Sequence, residues 1–185
     1  MKFTDLTIDQ FQRIAAIQVN GDEALAKVAT YAVVKGIDLE AAKRVSITEI
    51  NAAYLDIEKG LKSIPALQFK ERIKVAGKRY KLTLYTDSLD AGQLLELLSY
   101  DMTNEYSVIM NVHRIMATLA RERTWWKVKP YDGNTHAKRA EDFKQHCTMG
   151  QVWGAVSFFL MASEDYLKII LKYSEAMTAK MTVKA

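Results

Sequence analysis

The chain has 185 residues, 49% of them apolar, with a formal net charge of +4 and one cysteine, Cys147. That length and apolar content suit one buried core without staples and are those of a globular rather than a disordered protein. A lone cysteine excludes an internal disulfide, which fits a reducing compartment, and the opening Met1-Lys2-Phe3-Thr4-Asp5 lacks a signal-peptide layout.

Taken in chain order, Thr7 is placed to cap a first helix carrying Phe11, Ile14, Ala15 and Ile17 at helical spacing. Asn20-Gly21-Asp22 breaks it. Leu25, Val28, Ala29, Ala32 and Val33 form a second apolar stripe, which Gly36 stops. Asp38 begins a short third helix over Leu39 to Val45. Ser46, with Glu49 three residues on, makes a capping box for a fourth helix through Ile50, Ala53, Tyr54, Ile57 and Leu61. Ile64-Pro65 ends it.

The period then changes. Phe69, Ile73 and Val75 alternate with Lys70, Arg72 and Lys74; beyond Ala76-Gly77, Tyr80, Leu82 and Leu84 alternate with Arg79, Lys81 and Thr83. Two such runs around a glycine turn predict a β-hairpin over 69–85. A lone hairpin is marginal in water, so its apolar face should lie on helices. Ser88 is placed to cap a helix from Asp90 to Leu98, with Leu94, Leu95 and Leu98 facing inward. Thr103 caps the next, with Val108, Ile109, Val112, Ile115, Met116 and Leu119 as its stripe. A loop from Thr124 to Thr135 holds Trp125, Trp126, Pro130 and Asp132-Gly133. A charged helix near His136 to His146 follows, then a long helix from about Thr148 to about Thr178. The expected fold is mainly α (α+β): one domain over 1–185, with N-terminal helices over 7–64, the hairpin, and a C-terminal helical part over 88–182. The longest nearly apolar run, Val152 to Ala162, has 11 residues and is too short to cross a bilayer.

The charge is unevenly spread: Lys62 to Lys81 carries a net +6 and Arg121 to His146 a net +3. Such asymmetry points to an acidic partner, nucleic acid or protein. If the hairpin's apolar residues face the core, Lys70, Arg72, Lys74, Arg79 and Lys81 share its outer face. Like charges there destabilise the sheet unless something acidic meets them, and phosphate is one candidate. A solvated face that deters edge-to-edge aggregation is the other. Aromatics for base stacking are sparse in the hairpin, with Tyr85 alone expected to face out.

Adjacent Trp125 and Trp126 cannot both face one core from an extended stretch. Either one is buried while the other covers loop surface, or the pair marks an interaction site. The final helix is apolar on more than one face, with Val152, Trp153, Val156, Phe158, Phe159, Tyr166, Ile169 and Ile170. It lies centrally among the other helices, or part of it serves a partner chain. No phosphate-binding glycine motif occurs. His113, His136, His146 and Cys147 lack metal-ligand spacing, and no carboxylate pair is framed as a catalytic dyad. No enzyme, metal or cofactor is expected.

The order of motifs resembles a known group. Leu6-Thr7-Ile8-Asp9-Gln10-Phe11 is followed by Ser46-Ile47-Thr48-Glu49-Ile50, then Val75-Ala76-Gly77-Lys78-Arg79-Tyr80 leading into Leu89-Asp90-Ala91-Gly92-Gln93-Leu94. Lys129-Pro130-Tyr131-Asp132-Gly133 then precedes a charged helix, and a helix with Phe158-Phe159-Leu160 closes the chain. Over nearly its whole length this resembles small morphogenesis proteins of tailed bacteriophages, most closely tail-assembly chaperones. It departs at Leu94-Leu95, where a more polar and aromatic pair is expected. The resemblance implies no catalytic residues and no cofactor. It implies a helical protein, in the host cytoplasm or the virion, that binds phage structural or assembly proteins such as the tape measure. On that footing Trp125, Trp126, Phe158, Phe159 and Ile169 are the expected protein-binding residues. The alternative is a nucleic-acid-associated virion or cargo protein that binds weakly, without sequence preference, through the five basic hairpin residues. No membrane is implied, and no oligomeric state follows.

Overall fold

The computed structural model describes residues 2–18, 22–62, 70–83 and 88–157. Four helices come first: α1 (Ile8–Gln18), α2 (Glu23–Lys35), α3 (Leu39–Ala42) and α4 (Ile47–Lys62). Their starts are set by side chains placed as the sequence suggests. Thr7 Oγ1 accepts from Gln10 N–H at 3.2 Å while the Gln10 amide oxygen accepts from Thr7 N–H at 3.0 Å, a reciprocal cap. Asp22 and Asp38 cap α2 and α3, and Ser46 accepts from Glu49 N–H at 3.3 Å. The Glu49 carboxylate takes the Tyr31 hydroxyl at 2.5 Å, which ties α4 to α2. Gly36 ends α2 at φ 66°, a left-handed conformation suited to glycine.

Strands β1 (Arg72–Val75) and β2 (Lys78–Leu82) form the expected antiparallel hairpin, with Ile73 opposite Tyr80. Ala76 and Gly77 link them at φ 47° and 79°, the paired positive values of a primed turn. The hairpin is not alone, however. Helix α5 (Ala91–Leu98) leads to α6 (Glu105–Leu119), and α6 passes directly into β3 (Ala120–Glu122). β3 pairs antiparallel with β2, giving a three-stranded sheet in the order β1-β2-β3. Helix α7 (His136–His146) and a last helix, α8, described over 149–157, complete the fold.

Two expected caps move by a residue or two: Asp90, not Ser88, caps α5, and Asn104, not Thr103, caps α6. The inward face of α5 differs as well. Gln93 and Leu97 are buried, whereas Leu94, Leu95 and Leu98 are exposed. The cause is the Gln93 amide. It donates to the Thr118 carbonyl at 2.6 Å and accepts from Arg121, and these bonds fix which side of α5 turns inward.

One core joins helices and sheet: Phe3, Leu6, Ile73, Val75, Tyr80, Leu82, Met116, Leu119, Phe143 and Val152 are among its buried members. Tyr80 meets Phe143 of α7 edge-on at 5.2 Å. Trp153 of α8 meets Phe3 and Phe11 at 4.9 and 6.0 Å, also edge-on. The described part of α8 thus packs Met149, Val152, Ala155 and Val156 into the core, with Gln151, Trp153 and Ser157 partly exposed. It is held there by Met149 N–H to Leu6 C=O at 2.8 Å and Ile8 N–H to Cys147 C=O at 3.0 Å. Among the described residues no helix is long and apolar enough to cross a membrane.

Candidate interaction surface

Strand alternation sends Ile73, Val75, Tyr80, Leu82 and Ala120 into the core. Arg72, Lys74, Arg79, Lys81, Arg121 and Arg123 take the other face. The register sets Arg72, Lys81 and Arg121 side by side across the three strands. It sets Lys74 opposite Arg79, whose carbonyl accepts from Arg123 N–H at 2.8 Å. The face therefore carries two rows of three cations, an arrangement that destabilises a sheet unless anions meet it.

Two of the three cations in the first row have carboxylate partners. Lys81 pairs with Glu71 at 3.0 Å; Arg121 pairs with Asp90 at 3.3 Å and donates to the Gln93 amide oxygen at 2.6 and 3.0 Å. The Glu71 carboxyl is held below its usual range, first by the Lys81 hydrogen bond and then by the charge of Lys81, with smaller help from Arg72 and Arg123. In the second row Arg123 feels the Glu71 charge without pairing with it. Among the described residues no carboxylate pairs with Lys74, Arg79 or Arg123.

Past β3 the chain turns back on itself. Arg123 bridges to Val128, and Lys129 N–H donates to the Glu122 carbonyl at 2.8 Å. Thr124 N–H donates to the Lys127 carbonyl at 2.9 Å, and Thr124 Oγ1 accepts from Lys127 N–H at 3.3 Å. The result is a tight hairpin with Trp125 and Trp126 at its tip. Neither indole is buried, contrary to one of the two expectations: they are 69% and 88% exposed. They meet edge-on at 6.5 Å, and the Arg79 guanidinium lies over the Trp125 ring at 5.5 Å. The basic face and the tryptophan pair, separate in sequence, form one surface.

Of the five basic residues expected to act together, Arg72, Lys74 and Arg79 are exposed on the common face, and Lys81 is bound to Glu71. Lys70 is drawn aside, donating to the Gly150 carbonyl at 3.0 Å. Arg121 and Arg123 join the face through β3, which was not expected. Phe158, Phe159, Ile169 and Tyr85 lie outside the described residues.

A second polar region lies between α5, α6 and α7. His136 Nδ1 is 3.1 Å from Glu96 Oε1, and Glu96 also accepts from Tyr100 and Tyr131 hydroxyls at 3.2 and 2.5 Å. Burial lowers the His136 pKa from its usual value, against the opposing pull of the Arg114 carbonyl and the Glu96 carboxylate. Arg139 donates to the Ala117 carbonyl at 2.8 Å and lies over the Tyr131 ring. A cleft of about 330 Å³ beside this cluster is lined by Lys78, Glu122, Lys129, Tyr131, Lys138 and Arg139. Within it Lys129 pairs with Glu122 at 2.7 Å. The cluster braces three helices and presents no free nucleophile beside a base.

Cys147 is fully buried, and burial pushes its thiol up to about 12, far from the range of a reactive thiolate. Among the described residues no group of three His, Cys, Asp or Glu could hold a metal ion. Comparison with protein-family models, curated proteins and solved structures finds no match for this chain.

Proposed function

We propose that this protein is a non-enzymatic assembly factor of tailed bacteriophages, a tail-assembly chaperone that binds a partner protein through its tryptophan hairpin. The observation that carries it is the exposed Trp125-Trp126 pair on a turn closed by Thr124 and Lys127. Solvent-facing tryptophans are unfavourable in a lone chain, and each returns about 1.5–3 kcal/mol when buried against a partner. Tryptophan is also among the residues that dominate interface energies. Leu94, Leu95 and Leu98 on α5 add exposed apolar surface. A partner such as an unassembled tape measure, with long apolar helical faces, suits this surface. The protein acts in the host cytoplasm and stays with the virion if its partner does.

The test is co-expression with the tape-measure protein of the same phage. Soluble client should rise with the native chain and fall back with Trp125→Ser/Trp126→Ser, whose circular dichroism should match the native protein because the tip is exposed. A client equally soluble without this chain, or equally held by the double variant, would refute the chaperone role.

A further inference from the structure

We infer that the second cation row and the tryptophan tip together form a binding site for single-stranded nucleic acid. Lys74, Arg79 and Arg123 run side by side across the sheet with no carboxylate pairing them among the described residues. In the row beside it Lys81 and Arg121 are paired with Glu71 and Asp90. The face therefore offers a stripe of three cations without carboxylate pairs beside a row in which two of three are paired. Three cations in a line suit a phosphodiester backbone running across the strands.

At the β3 end of this stripe stands the tip. Arg79 stacks on one face of Trp125, which fixes that indole against the cation row. Trp126, more exposed still, has its ring open to solvent. A base stacking on Trp126 would put its phosphates within reach of the stripe, and Lys127 beside it adds another exposed cation. This pairing of a basic track with an aromatic platform is how single strands are held without sequence readout. Duplex DNA hides its base faces and gains nothing from Trp126. The expected ligand is thus a flexible strand of DNA or RNA, bound weakly and without sequence preference.

The experiment uses the full chain, a labelled thymidine oligonucleotide, the matching duplex and polyglutamate. Fluorescence anisotropy across a salt series should show oligonucleotide binding, with quenching of indole emission as the base stacks. Each neutralised phosphate contributes about −0.7 to the log–log salt slope for single strands, so Lys74→Gln/Arg79→Gln/Arg123→Gln should flatten it by roughly 2. Trp126→Ala should weaken binding by roughly 5- to 100-fold and leave the slope unchanged. Lys74, Arg79 and Trp126 are exposed and Arg123 is half-buried, and a melting temperature no lower than that of the native chain certifies the variants. No binding at low salt, an unchanged slope in the triple variant, or duplex binding as tight as the single strand would overturn the site. Polyglutamate displacing the oligonucleotide charge for charge would also overturn it, and would mark the face as a site for acidic polypeptide. None of these outcomes depends on the tape-measure co-expression result.

Discussion

Acid should weaken this fold through His113, and the size of the effect follows from its surroundings. The ring stands on α6 facing Gln12 of α1. The Gln12 amide nitrogen lies 3.0 Å from His113 Nδ1 and donates to the Ile109 and Met110 carbonyls at 2.9 and 2.8 Å. A protonated ring would turn its Nδ1–H towards that NH2 group, which is itself a donor and offers the new hydrogen no acceptor. Burial, then the positive charges of Lys144 and Arg114, lowers the His113 pKa from 6.5 to about 4. For a base whose folded value lies below its unfolded one, the unfolded chain takes up the proton first. Stability is therefore complete above about pH 6.5 and drains away as pH falls towards about 4. At 1.36 kcal/mol per pKa unit the full loss is about 3 kcal/mol, of which about 2 kcal/mol is gone at about pH 5. These are upper figures, since the ring keeps some contact with water. Urea unfolding of the native chain and of His113→Asn at about pH 7.5 and about pH 5 isolates the term, because His136 and the carboxylates titrate in both proteins. The variant should lose less stability on acidification by about 1–2 kcal/mol. Equal losses in the two proteins would refute the burial argument, as would a His113 ring that titrates by NMR near pH 6.5 in the folded protein.

Two further outcomes test the backbone geometry. Ala76 sits at φ 47° in the β1–β2 turn, so Ala76→Asn, which makes the favoured Asn-Gly pair, should stabilise by about 0.5–1 kcal/mol and raise the denaturation midpoint without changing the m-value. Gly150 lies so close to the N-terminal segment that an added Cβ would stand 2.8 Å from the Thr4 carbonyl oxygen and 2.9 Å from Thr4 Cβ. Gly150→Ala should therefore destabilise by about 1–3 kcal/mol, read as a lowered thermal midpoint.

The sequence was informative where local chemistry decides. Thr7, Asp38 and Ser46 cap the helices expected of them, and the switch to period 2 with Gly77 marks β1 and β2. It was silent where distant partners decide. Ala120-Arg121-Glu122 continues the α6 pattern without a glycine or proline, and it becomes a strand because the β2 edge accepts it. The Trp125-Trp126 turn lacks the glycine or asparagine of a primed hairpin. Its closure rests on the Thr124 hydroxyl and backbone. In α5 the leucine pattern suggested the wrong inward face, because the bonds from Gln93 to Thr118 and Arg121 outweigh the apolar stripe. The meeting of Arg79 with Trp125 depends on β3 as well, so the composite surface could not be read from either segment.

The two faces of the sheet make opposite demands, and that opposition bears on how the surface works. Ile73, Val75, Tyr80 and Leu82 fasten one face to Phe143 and the helical core, which provides the stability that opposed cations on the other face remove. A ligand that neutralises Lys74, Arg79 and Arg123 relieves that repulsion and binds only the folded sheet, so it should raise the stability of the whole domain by mass action. The tryptophans are presented on a backbone already closed by its own hydrogen bonds, with Trp125 already resting on Arg79. A partner, of either class, would then find most of the ordering of this tip complete before it arrives. Loosening the turn, rather than removing an indole, should therefore weaken binding while leaving every contact chemically available. Thr124→Val removes the hydroxyl that accepts from Lys127 N–H and keeps the side-chain shape, which makes it the substitution that separates preorganisation from contact.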